Sequence, residues 1–181
     1  MISFFSSIDT WVNVFMSTYV SPFFEIVATW TSIIADAEVL IAVAAVLIVY
    51  MLFRKKWRDA VMVSLAIGST AMTVLLFKDF FMRARPDNAL QVIVNDPSFP
   101  SGHASMAAAF FVTLMFVCVP KIYSSVGRIG FIVLSVFLIL LVGISRLILN
   151  VHWATDVLAG WALGTALAFF SAWIVRKYLT K

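Results

Sequence analysis

Residues 57–86 read WRDAVMVSLAIGSTAMTVLLFKDFFMRARP, and the way this stretch runs and ends decides the fold. Between Ala60 and Phe77 it has no ionisable side chain, and it is flanked by Trp57 and Arg58 before and Lys78 after. An α-helix needs about 20 largely apolar residues to cross the hydrocarbon core of a bilayer, so Trp57–Met82 is predicted to be a membrane span. Four more segments of the same kind surround it: Glu38–Phe53, Gly102–Val119, Arg128–Leu149 and Ala154–Arg176.

Composition agrees. Of 181 residues, 63% are hydrophobic and only 12% charged, with a mean hydropathy of +1.04. A soluble domain carries about 25% charged residues, so the excess apolar surface has to face lipid. The expected fold is all-α: an integral membrane bundle of five or six transmembrane helices with an N-terminal amphipathic helix. It is read as one membrane-embedded domain over 1–181. Residues 38–177 form the helical core, and 1–36 an interfacial or partly spanning segment. Within that segment Phe4, Ile8, Trp11, Val12, Phe15 and Tyr19 recur every three or four residues, with Ser6, Asp9, Thr10, Asn13 and Ser17 between them. That pattern predicts an amphipathic helix lying in the interface. Pro22 breaks it, and Pro22–Ala35 is either a separate apolar piece or the second half of one kinked span with it. The N-terminus does not read as a cleaved signal peptide, since no cation precedes its apolar residues. Cys118 is the single cysteine, which excludes a disulfide framework.

The net charge of +4 does not point to nucleic acid, because the cations sit at the ends of spans. With the five helices alternating, Arg54, Lys55, Lys56, Arg58, Lys121, Arg128, Arg176, Lys177 and Lys181 share one side, nine of the thirteen cations. The positive-inside rule makes that side cytoplasmic, with Trp57, Trp153 and Trp173 as interfacial anchors. Lys78, Arg83, Arg85 and Arg146 fall on the other side with both histidines, where topology does not require them.

Three clusters converge there: Lys78 to Arg85-Pro86, Pro100-Ser101-Gly102-His103, and Ser145-Arg146 with His152 and Asp156. Lys78, Arg85 and Arg146 make a cationic nest, and guanidinium forks match phosphate oxygens. Ser101 is an N-cap, so the amides of Gly102 and His103 at a helix start offer an anion site. His152 and Asp156 are four apart on one helix face. The carboxylate would fix the imidazole tautomer and free the other nitrogen to attack phosphorus. His103 is then available to protonate the leaving alkoxide and activate water. Two histidines and an aspartate beside three cations oppose a divalent ion, so neither metal nor cofactor is expected. Alone, each histidine reads as a solvated interfacial group and Lys78 or Arg85 as a snorkelling anchor. Together they do not, because the chain's only two histidines both fall in the clusters. Arg83 reads as an anchor or an additional headgroup contact. Asp79, Asp87 and Asp96 read as surface loop residues, and Glu25, Asp36 and Glu38 as solvated interfacial groups or the lining of a headgroup entrance. Gly160 and Gly164 read as a site of close helix packing.

Lys78 and Arg85-Pro86 with six residues between them, then Pro100-Ser101-Gly102-His103, then Ser145-Arg146 and His152 with five residues between them and three more between His152 and Asp156, resemble the three-part signature of the type 2 phosphatidic acid phosphatase superfamily. All three parts are complete and in order across Lys78–Asp156. The resemblance implies a helical bundle, metal-independent catalysis and a phosphohistidine intermediate. By position it makes His152 the nucleophile, Asp156 its partner and His103 the general acid, with Lys78, Arg85, Ser101, Gly102 and Arg146 as phosphate ligands. The superfamily also holds soluble acid phosphatases and vanadium haloperoxidases, but the spans point to its membrane branch. Small members of that branch resemble bacterial phosphatases of undecaprenyl pyrophosphate, phosphatidylglycerol phosphate, phosphatidic acid or the lipid A phosphate. The expected partner is therefore a membrane lipid phosphate in the bilayer, met at the periplasmic or extracellular face. A lipid phosphotransferase using the same intermediate and a non-enzymatic lipid transporter are the competing functions.

Overall fold

The computed structural model describes residues 2–90 and 96–179, with side chains from residue 6 onward. The chain forms helices α1 (Ile2–Tyr19), α2 (Pro22–Ile34), α3 (Ala37–Phe53), α4 (Trp57–Phe81), α5 (Gly102–Cys118), α6 (Ser125–Ile148) and α7 (Ala154–Leu179). A short 3-10 turn, Val119–Lys121, extends α5.

The boundaries follow local chemistry. Pro22 opens α2, where its missing N–H costs nothing. Asp36 caps α3 by accepting the Glu38 N–H at 2.9 Å. Ser101 caps α5 and Ser124 caps α6, which starts α6 three residues before the expected Arg128. Met82 ends α4 in a left-handed conformation, φ 46°, and turns the following residues across the end of the bundle.

The chain is an integral membrane protein. Among the described residues, α4, α5 with its 3-10 turn, α6 and α7 are each long and apolar enough to cross a bilayer. The fifth candidate is the pair α2 and α3, which meets the same test together and bends by 42° at the break. The kink therefore joins Pro22–Ile34 to the helix after it, where the sequence had left open a kink with the helix before it. The count stands at four spans, or five with the bent pair taken as one.

Helix α5 is the most buried span, and it packs on α7 through small residues. Ala104, Ala107, Ala108 and Ala109 are fully buried. A Cβ at Gly164 would lie 2.0 Å from the Ser105 carbonyl oxygen, and one at Gly160 would lie 2.8 Å from that of Ser101. The Gly160–Gly164 pair thus does what its spacing predicted, letting two backbones touch. Gly143 makes the equivalent room on α6, where a Cβ would meet the Trp161 ring at 2.2 Å.

The structure adds the direction that the sequence reading of α1 left open. Trp11, Phe15 and Tyr19 are exposed, with Trp11 stacked on Phe15, whereas Asp9 is only 2% exposed. Asn13, one turn on, donates to Asn88 Oδ1 at 3.0 Å and Asn150 Oδ1 at 2.9 Å. Part of the polar stripe therefore faces the protein and the aromatic stripe faces outward.

Candidate active site

The three clusters meet at one end of the bundle. The end of α4 supplies Lys78, the start of α5 His103, and the last turn of α6 Arg146. The turn before α7 supplies His152, and Arg85 comes from the segment that Met82 redirects. The turn is set by Asn150 at φ 52°, a left-handed position that asparagine tolerates and that its bond to Asn13 holds. Together these residues line a pocket of about 380 Å³, whose walls also include Ile41 of α3 and Ala71, Val74 and Leu75 of α4.

His152 is buried between two neighbours. Arg85 Nη1 lies 3.2 Å from His152 Nε2, and Asp156 Oδ2 lies 3.5 Å from Nδ1. An arginine only donates, so Nε2 accepts and the ring proton belongs on Nδ1, facing the carboxylate. Burial holds the His152 imidazole well below its usual range, at about 4; Asp156 opposes this and Arg85 and Arg146 reinforce it. The ring is therefore neutral near pH 7, with its Nε2 lone pair turned to the pocket. Asp156 itself is wholly buried, and its Oδ2 accepts the Trp153 N–H at 2.9 Å.

His103 Nε2 lies 3.2 Å from Asp36 Oδ2, at the break between α2 and α3. That break is thus level with the pocket. Arg146 is 5% exposed and donates through Nη1 to the Ser32 hydroxyl of α2. Three buried side-chain nitrogens make no hydrogen bond of good geometry among the described residues: Arg146 Nε, His103 Nε2 beside Asp36, and His152 Nδ1 beside Asp156. All three belong to this pocket. Buried polar groups are satisfied almost everywhere in folded proteins, and exceptions gather where a ligand is handled.

Arg85 is held by its Nη1 bond to the Val151 carbonyl at 2.7 Å, its Nε bond to the Asp96 carbonyl at 2.8 Å and its Nη2 bond to Asp96 Oδ2 at 2.9 Å. Asp96 also pairs with Lys78. Partial burial works against its charge, but Lys78 and Arg85 hold its carboxyl below the usual range. The sequence reading of Asp96 as a plain surface residue is corrected here: 48% of its side chain is exposed, yet it bridges two of the pocket's cations. Asp36 and Glu38 likewise line the pocket, while Glu25 lines a separate groove beside Leu90 and Leu149. Of the connection Asp87–Phe99, residues 91–95 lie outside the described residues.

The Ser101 hydroxyl accepts the Ala104 N–H at 3.4 Å, which leaves the helix start at Gly102 and His103 open toward the pocket. Lys78, Arg85, Gly102, His103, Arg146 and His152 all line it, and Ser101 and Asp156 stand behind. Arg83 does not join them. Its guanidinium turns to Asp9 and Asp156 and lies over the Trp153 ring, 5.6 Å from the centroid. Sequence reasoning missed Asp9, Asp96 and Ser32 as neighbours of these clusters, while it left Asp36 open as the lining of a headgroup entrance. Only the unusual acid inside the polar stripe of α1 hinted at one of them.

The architecture is that of a membrane-embedded helical bundle with a cationic, two-histidine pocket at one end. Residues 59–179 match the PAP2 superfamily, and the chain belongs to it. It is 36% identical over 119 residues to phosphatidylglycerophosphatase B of Bacillus subtilis (strain 168), covering 65% of this chain and 58% of that protein. It is 30% identical over 137 residues to an undecaprenyl-diphosphatase of Sulfolobus acidocaldarius, covering 74% of this chain and 62% of the relative. The matches thus span about three fifths of each relative's length. Among solved structures, the transmembrane PAP2 type phosphatidylglycerolphosphate phosphatase of Bacillus subtilis superposes with a TM-score of 0.86 at 28% identity, over 96% of this chain and 87% of the other. Aquifex aeolicus LpxE shares the fold, with a TM-score of 0.69 at 22% identity over 94% and 93% of the two chains.

Proposed function

We propose that the chain is a lipid phosphatase that hydrolyses a lipid phosphate or pyrophosphate through a phosphohistidine on His152. The observation that carries the reading is the convergence of Lys78, Arg85, His103, Arg146 and His152 on one pocket, with the His152 Nδ1 backed by Asp156. A tetrahedral phosphoryl group has the oxygens to accept from Lys78, Arg85, Arg146 and the amides of Gly102 and His103. In a site shielded from water these donors act strongly on the charge that develops in the transition state.

In the first step the Nε2 lone pair of His152 attacks phosphorus and the bond from phosphorus to the leaving oxygen breaks. His103 gives that oxygen its proton, so a lipid alcohol or lipid monophosphate departs. The Nδ1 proton stays on the ring beside Asp156, which balances the charge the ring acquires. In the second step His103 takes a proton from water, the hydroxide attacks phosphorus, the P–N bond breaks and inorganic phosphate leaves. An acceptor hydroxyl in place of water turns the same intermediate into a phosphotransferase. The pocket's apolar wall between α3 and α4 suits an acyl or prenyl chain, and the relatives suggest phosphatidylglycerol phosphate or a prenyl pyrophosphate as the headgroup class. The reading treats residues 1–181 as one catalytic unit with its site on the periplasmic or extracellular face. Nine of thirteen cations at the opposite end support that orientation.

Phosphate release from detergent micelles of phosphatidylglycerol phosphate, phosphatidic acid and undecaprenyl pyrophosphate, in EDTA, tests it. Wild type should release phosphate and His152→Ala should lose activity by at least about 10³-fold, since no other group supplies the nucleophile. Release that survives in His152→Ala, or that needs an added divalent ion, overturns the mechanism.

A further inference from the structure

Arg83 lies between Lys78 and Arg85 in sequence, yet its charge is directed away from the pocket. Its Nη1 donates to Asp156 Oδ1 at 2.5 Å and to Thr155 Oγ1 at 2.7 Å, and its Nη2 donates to Asp9 Oδ2 at 2.6 Å. Asp9 is also engaged with α7: its Oδ1 accepts the Thr155 N–H at 2.9 Å and its Oδ2 the Thr155 hydroxyl at 2.7 Å. A carboxylate that accepts a first-turn amide caps a helix and suits its positive end. Asp9 therefore caps, from a different helix, the very helix that carries Asp156.

We propose that Asp9 and Arg83 are positioning residues for the nucleophile, acting in series: Asp9 holds Arg83, Arg83 holds Asp156, and Asp156 orients His152. The proposal rests on the phosphohistidine reading of His152. A buried carboxylate is costly unless it is paired, and Asp9 is 2% exposed on a helix whose neighbouring aromatics face outward. Its partners explain its presence. Asp156 has two oxygens for its neighbours: Arg83 occupies Oδ1, while Oδ2 takes the Trp153 N–H and faces His152 Nδ1. Arg83 thereby decides which oxygen meets the imidazole. Asp9 shares the guanidinium, so only part of its pull falls on Asp156. Neutralising Asp9 removes the anchor that fixes the guanidinium, so Arg83 no longer holds Asp156 Oδ1 in place, and the first turn of α7 loosens. Carboxylates that orient a ligating or attacking histidine from behind are worth about 10- to 100-fold when removed.

The test is steady-state hydrolysis of phosphatidic acid in detergent micelles by Asp9→Asn, Arg83→Gln and Arg83→Lys, with and without Asp156→Asn. Asp9→Asn should lower kcat roughly tenfold at unchanged KM, and Arg83→Gln by somewhat more. Arg83→Lys cannot fork to two carboxylates and should fall between Arg83→Gln and wild type. In the Asp156→Asn background none of the three should cost anything further. A normal kcat in all three, a rise in KM alone (the mark of a headgroup contact), or losses that multiply with Asp156→Asn each overturn the proposal. A second readout needs no turnover. With two histidines in the chain, the ring ¹⁵N spectrum assigned by His103→Gln reports the His152 tautomer. It should show Nδ1–H in wild type and a mixture in Asp9→Asn or, where that variant does not fold, in Arg83→Lys. An unchanged tautomer overturns the proposal. Wild type that releases no phosphate while its spectrum behaves as expected overturns the phosphatase reading and leaves the relay standing.

Discussion

Asp96 holds Lys78 and Arg85, the same two cations whose spacing first marked the site. Its carboxylate thus competes with any phosphoryl group that those cations bind. Asp96→Ala removes the competitor and should lower the inhibition constant of orthovanadate, a phosphate mimic, by roughly tenfold, or about 1.4 kcal/mol. A weaker inhibitor would mean that Asp96 holds the two cations in place for the ligand instead. Nothing at the level of one residue could distinguish Asp96 from Asp79 or Asp87, since all three are acids in or beside a polar connection. What separates them is that the turn after Met82 brings Arg85 back beside Asp96, where Lys78 also reaches it.

At the scale of elements, α5 and α7 are joined so closely that glycine is required. Gly164→Ala places a methyl 2.0 Å from the Ser105 carbonyl oxygen, a backbone atom that cannot rotate away. The two helices must part, at a cost of about 1–3 kcal/mol or more. A large drop in thermal stability in detergent is expected, and activity should fall with it because α5 carries His103 and α7 Asp156. Gly68→Ala is the control. A Cβ there meets nothing within 4 Å, so helix propensity should raise stability by up to about 1 kcal/mol. Equal melting curves for the two variants would contradict the close α5–α7 packing. Helix α1 illustrates how an element's pattern can be read while its direction stays open. Its amphipathic period is real, but a periodic stripe does not say which side meets lipid, and here the buried acid finds its partners inside the protein.

At the scale of the whole molecule, the distribution of cations supports the proposed orientation. The loop Arg54–Arg58 and the Lys121–Arg128 connection lie at one end, tied by the Lys121–Asp59 pair, and the pocket lies at the other. With Cys118 replaced by serine, a cysteine introduced at Asn88 should react with a membrane-impermeant maleimide in intact cells or spheroplasts. One introduced at Lys55 should react only after permeabilisation. The reverse pattern would put the pocket on the cytoplasmic side.

Hydropathy and spacing by themselves pointed to a membrane helical bundle, to four of its long spans and to the end at which the two histidines gather, because both are one-dimensional. A run of about 20 apolar residues has one physical use, and each motif lies within a short stretch at one helix end or at the turn joining two. What only the tertiary structure decided is which groups meet across the chain: Asp9 with Arg83, Arg83 with Asp156, Asp36 with His103, and Ser32 with Arg146. Arg83 shows the difference best. Its place in the sequence left it open between an anchor and an additional headgroup contact, and its direction depends on the left-handed turn at Met82 and on how α1 and α7 are rotated about their axes. Rotation of that kind is set by close packing between helices, and no interval along the chain encodes it.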